Sequence, residues 1–161
     1  MQFNNLPAYQ IRRVAESILD MAEDLFARHL EIRVLDWRVL VKLADRPGSI
    51  PTEIGRDMLM TPVQTGRSLL KLREFGLVAA VPDPEDGRAT RYTMTQAGRT
   101  AYEAGMKIVL AVQDFALRDL SAVERVALDG LLGRLMHNTS YTDADIGQLS
   151  ARLFGGKRNS A

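Results

Sequence analysis

Gln64, Thr65, Arg67, Ser68 and Lys71 are hydrogen-bonding or cationic side chains crowded into a short stretch, TPVQTGRSLLKLREFGLV. Each type can address duplex nucleic acid. A Gln amide pairs bidentately with adenine and an Arg guanidinium with guanine, while a Lys deeper in the helix meets phosphate. Thr65 lies near the apolar side, so a purely structural role is open for it. Arg88 is a further cation, in the turn-rich run PDPEDGRA. It can pair with Asp86 to stiffen a hairpin and also enter a minor groove; a surface pair alone contributes ~0–1 kcal/mol.

The elements that must carry these groups are legible around them. Thr61 suits a helix N-cap, and Pro62 suits N1, where a missing N–H costs nothing. Leu69, Leu72 and Phe75 recur at helical spacing and mark a buried side, leaving Gln64, Arg67, Ser68 and Lys71 on an exposed one. Gly76 supplies the left-handed position that ends the helix. Leu77–Val81 and Thr90–Met94 are β-prone runs flanking the turn. A polar-faced helix followed by a hairpin with Arg at its tip has the layout of a winged helix-turn-helix. The same pattern also occurs in small α+β domains with no nucleic-acid partner.

Upstream, Ile11, Val14, Ile18, Met21 and Leu25 form a heptad-like stripe on a helix of roughly Pro7 to Leu30. This stripe fits a subunit interface or packing within the monomer. Asp36 can cap a second helix, Trp37 to Asp45, closed by Pro47-Gly48. Ser49-Ile50 suits a short strand, and Pro51 opens a third helix to about Leu59. Downstream, Thr95 can cap a long helix from Gln96 to about Leu120, lined by Ala101, Gly105, Ile108, Val112 and Phe115. Ser121 and Glu124 have capping-box spacing for a sixth helix to about His137. Thr142 precedes a short seventh, Asp143 to Leu153.

The 161 residues suit one domain with extensions, and 46% hydrophobic with 25% charged residues is ordinary globular composition. A net charge of +1 gives no strong nucleic-acid signature, so a DNA face must come from local placement of Arg and Lys or from doubling in a dimer. With no Cys, disulfides, thiolate metal sites and thiol switches are excluded. The N-terminus MQFNNLPAYQIRR has no apolar leader and no run approaches a membrane span, which predicts a cytoplasmic protein.

Four stretches make the sequence similar to MarR-family transcriptional regulators over about Leu6 to Asn138. They are LDWRVLVKLAD, the helix-turn-helix run PTEIGRDMLMTPVQTGRSLLKLREFGLV, the wing VPDPEDGRATRYTMTQAGR and the helical C-terminus. The wing is the most specific: Asp86-Gly87-Arg88 matches the family's Asp-x-Arg pattern, followed by a Thr-x-x-Gly helix start at Thr95–Gly98. The resemblance implies an obligate homodimer, a pseudo-palindromic operator and relief of repression by a small, often aromatic, ligand. Pro62, Gln64, Gly66 and Gly87 depart from residues common in the family at these places.

The expected fold is mainly α (α+β). A dimerisation helix over residues 1–34 precedes a winged helix-turn-helix over 35–95. Dimerisation helices follow over 96–140 and a tail with a short helix over 141–161. The expected DNA-binding residues are Thr61, Gln64, Thr65, Arg67, Ser68, Lys71 and Arg88. The family's ligand pocket falls near His29, Trp37 and Arg38, where Arg beside Trp suits an aromatic carboxylate. The opposing reading makes Trp37 core and Arg38 a solvated or backbone-contacting cation. No cluster with ligand spacing surrounds either His29 or His137, so no metal and no cofactor is expected. An enzyme is not expected: no nucleophile with a matched His, paired carboxylates or phosphate loop is present. A winged helix used for protein–protein contact is the alternative to a DNA-binding regulator, and salt-sensitive duplex binding separates the two.

Overall fold

The computed structural model describes residues 2–83 and 90–155. It divides into two compact units, residues 1–116 and 117–161. In the first unit a short 3₁₀ turn, Phe3–Asn5, precedes α1 (Pro7–His29), α2 (Val34–Asp45), α3 (Pro51–Asp57), α4 (Pro62–Glu74), β1 (Val78–Pro82), β2 (Thr90–Met94) and α5 (Gln96–Ala116). The second unit contains α6 (Ala122–Asn138) and α7 (Asp143–Phe154).

The helix starts follow local chemistry. The Thr61, Thr95, Ser121 and Thr142 hydroxyls accept from the backbone N–H three residues on, relieving orphan donors of the first turn. Pro stands at the N-terminus of α1, α3 and α4. Gly76 follows α4 at φ 66°, a left-handed position that suits glycine.

β1 and β2 are antiparallel, with Val78 opposite Met94 and Pro82 opposite Thr90. The short strand expected at Ser49 is a single bridge to Tyr92: Tyr92 N–H donates to the Ser49 carbonyl at 3.1 Å, and Gly48 N–H to the Tyr92 carbonyl at 2.9 Å. The wing is thereby anchored to the turn between α2 and α3. The core of this unit gathers Phe26 of α1, Leu40 and Leu43 of α2, Ile54 of α3, Leu69 and Leu72 of α4, Val78 of β1 and Val112 of α5.

Five expectations change. Asp36 is not the N-cap of α2 but its third residue, because the helix begins at Val34; its carboxylate accepts from the Arg33 backbone N–H instead. Phe75 lies beyond the last helical residue of α4 and is 46% exposed, so it does not continue the Leu69–Leu72 side. α3 ends at Asp57, short of Leu59, and α5 ends at Ala116, short of Leu120. The sheet begins at Val78, one residue later than expected.

Candidate nucleic-acid interface

α3 and α4 meet through a tight turn and pack against each other, the arrangement of a helix-turn-helix. Thr61 and Gln64 form a reciprocal capping box at the start of α4. Thr61 N–H donates to Gln64 Oε1 at 2.8 Å, and Gln64 N–H donates to Thr61 Oγ1 at 3.2 Å. Both residues are exposed. The box occupies one lone pair of the Gln64 amide oxygen and does not use its two N–H donors, so Gln64 is first a donor.

Two expected DNA-facing residues point inward. Thr65 is 1% exposed, and its hydroxyl donates back to the Thr61 carbonyl at 3.1 Å. Ser68 is fully buried, and its hydroxyl donates to Asp36 Oδ1 at 2.6 Å. The buried arc of α4 is wider than its Leu69–Leu72 stripe because a carboxylate from α2 lies inside it. Neither residue has the accessibility that contact with a partner surface needs, and both leave the candidate set.

Asp36 is the hub of this region. Besides Ser68 it accepts from the Arg33 guanidinium at 2.8 and 3.2 Å, and the Lys71 ammonium lies 3.5 Å away. Burial pushes its carboxyl up. Hydrogen bonds from the Arg33 side chain, the Ser68 hydroxyl and the Arg33 backbone N–H outweigh that, and its pKa lies below the ordinary carboxylate value. A buried charge is tolerable only when paired and hydrogen-bonded, as here.

Lys71, expected at phosphate, therefore turns toward Asp36 and also lies 5.4 Å from the Phe75 ring centroid. Arg67 is exposed and forms no ion pair among the described residues. The outward surface of α4 thus combines Gln64 and Arg67 with exposed Val63 and Leu70. The expectation for Arg88, and its pairing with Asp86, falls outside the described residues. At the wing base Arg91 is paired instead: it lies 2.8 Å from Asp83 and donates to the Gly48 carbonyl at 3.1 Å, bracing the hairpin against the α2–α3 turn. Its place in an alternating strand gave no signal of that role.

The expected effector cluster does not assemble. Trp37 is 7% exposed, donates its indole N–H to the Tyr102 carbonyl at 3.1 Å, and meets Phe26 edge-on with ring centroids 5.6 Å apart. It is core. The Arg38 guanidinium donates to the Met58 carbonyl at the end of α3. His29 is exposed at the last turn of α1. Among the described residues no group of three His, Asp or Glu side chains is placed to hold a metal ion, and no helix is long and apolar enough to cross a membrane.

A family model for a winged helix DNA-binding domain matches residues 34–98, from the start of α2 through the wing to the first turn of α5. The HTH-type transcriptional repressor IacR of Pseudomonas putida is 25% identical over 134 residues, spanning 83% of this chain and 80% of that protein. The fold superposes on BpsR of Bordetella bronchiseptica, a protein whose DNA binding is regulated by 6-hydroxynicotinic acid. There the TM-score is 0.75 with 19% identity, over 84% of this chain and 96% of that one. Apo wild-type MarR from E. coli gives a TM-score of 0.71 with 21% identity, over 81% and 96%. The chain is a winged helix-turn-helix protein with the fold of the MarR family.

Proposed function

We propose that this chain is a homodimeric, sequence-specific DNA-binding transcriptional regulator, a cytoplasmic repressor that reads a pseudo-palindromic operator through α4. The observation that carries the reading is the exposed start of α4 within the matched winged helix. Gln64 presents amide donors, and Arg67 offers a guanidinium with no ion pair among the described residues. That end of a recognition helix is the one that meets base edges in the major groove. Arg67 suits guanine, Gln64 suits adenine N7, Thr61 suits a phosphate near the helix start, and Arg88 of the wing suits the minor groove.

The dimer is supported by surface that one chain leaves bare. α6 buries none of its side chains, although it carries Val126, Leu131, Leu132 and Leu135. On α1, Ile11 and Val14 are 43% and 58% exposed. Apolar side chains left exposed on a helix in this number need a partner. A dimer places two copies of α4 about one helical turn of DNA, ~34 Å, apart. The domain division of this reading assigns residues 1–34 and 96–140 to dimerisation and 35–95 to DNA.

Control by a small aromatic acid rests on the likeness to BpsR, which is regulated by such a compound. The site would lie elsewhere than at Trp37, whose indole N–H is engaged by the Tyr102 carbonyl, and Arg38, which is turned to the Met58 carbonyl. Selection of bound fragments from random duplexes, followed by titration at several salt concentrations, tests the function. A preferred sequence bound with a steep salt slope is expected. Absence of any duplex preference would favour the protein–protein module.

A further inference from the structure

The side of α4 opposite the core carries two apolar side chains beside Arg67. Thr65, Ser68, Leu69 and Leu72 mark the buried arc. Val63, Arg67 and Leu70, at spacing i, i+4 and i+7, lie on the opposite side. Val63 is 62% exposed and Leu70 56%. One turn from Val63, Gly66 bears no side chain, and a Cβ there would meet nothing within 4 Å. The ground beside Val63 is therefore open.

Hydrogen-bond readout employs Arg67 and the Gln64 amide but leaves Val63 without a role. Val63 is the second residue of α4, at the end a recognition helix presents to base edges. The major groove offers one apolar group, the C5-methyl of thymine. A guanidinium without an ion pair among the described residues, set inside the same strip, suits a polyanion bearing methyl groups better than a second apolar protein face. We infer that Val63 is a specificity-determining residue that reads thymine methyl groups, with Gly66 leaving the space into which the methyl-bearing edge fits. The inference rests on the reading of α4 as the DNA-recognition helix.

The test uses the full chain and a duplex selected by it from a random pool, together with a twin in which every thymine is replaced by deoxyuridine. A pair of unselected duplexes, with and without the same replacement, is the reference. The wild-type chain is expected to lose about fourfold in affinity for each methyl contacted, the transfer value of one buried carbon. Val63→Ser, at an exposed position, should keep its circular dichroism and melting behaviour and bind both twins alike. Equal binding of the twins by the wild type, with preference over unselected DNA intact, would overturn the inference alone. So would a Val63→Ser chain that distinguishes the twins as the wild type does. Loss of preference for any selected duplex would overturn the DNA-recognition reading as well.

Discussion

The Ser68 hydroxyl donates to Asp36 Oδ1 across 2.6 Å, joining α4 to the first turn of α2 through a contact neither helix exposes. With Arg33 and Lys71 on the same carboxylate, this bond fixes the rotation of α4 about its own axis. Which residues of α4 face outward follows from that rotation.

Ser68→Ala removes a hydrogen bond to a charged group and is expected to cost about 1.5–3 kcal/mol of stability. Urea unfolding at neutral pH checks it, and an unchanged midpoint would mean the bond does not hold the helices together. The lowered Asp36 pKa sets the direction with pH. The unfolded chain has its carboxyl near the ordinary ~3.9. The contribution is full above that value and is lost as pH falls through the lower folded value. Melts of the wild type and Asp36→Asn from neutral to acid pH should therefore converge at the acid end.

Gly105 lies against Trp37, and a Cβ there would collide with the indole ring. Gly105→Ala is expected to destabilise by about 1–3 kcal/mol through overpacking. Thermal unfolding reads the loss, and a double variant with Trp37→Phe should show coupling, because the smaller ring vacates part of the contested space.

Gly66 gives the opposite sign. It sits mid-helix, exposed, with no neighbour to crowd a methyl. Gly66→Ala should raise stability by about 0.5–1 kcal/mol by restricting the unfolded chain and favouring helix. The same methyl should weaken binding to a selected duplex. Parallel melting and binding titrations separate the two effects; a stabilised variant with unchanged affinity would show that no partner approaches Gly66.

Sedimentation should show a dimer at micromolar concentration, and Leu135→Lys on α6 should shift it toward monomer. A monomeric wild type would contradict the dimer. Arg88→Ala is expected to lower affinity for a selected duplex without changing the melting temperature; unchanged affinity in the same titration would leave Arg88 with no part in binding.

Much of the fold was legible because helix starts are written locally. Thr61 before Pro62, Ser121 with Glu124, and Thr142 ahead of the seventh helix each mark a helix start from near neighbours in the chain. The inward turn of Ser68 was not legible, because its partner Asp36 is 32 residues away and reads equally well as a cap of its own helix. Helical spacing gives the direction of the buried side of α4 but not its width, so Ser68 reads as a neighbour of Arg67 on the exposed side. The same blind spot hid Val63, whose apolar character suggests burial although it lies opposite the core. Trp37 was legible as core or as pocket wall, and only the bond to the Tyr102 carbonyl, 65 residues on, decides between them.

Base reading by α4 is tested by the affinity of wild type and Arg67→Ala for a selected duplex and for a random one, in the same buffer. Readout of a base by Arg67 predicts a loss of about 1–3 kcal/mol on the selected duplex and little on the random one, with preference relaxed at one base position. An equal loss on both duplexes, or none on either, would contradict sequence reading by the outward face of α4.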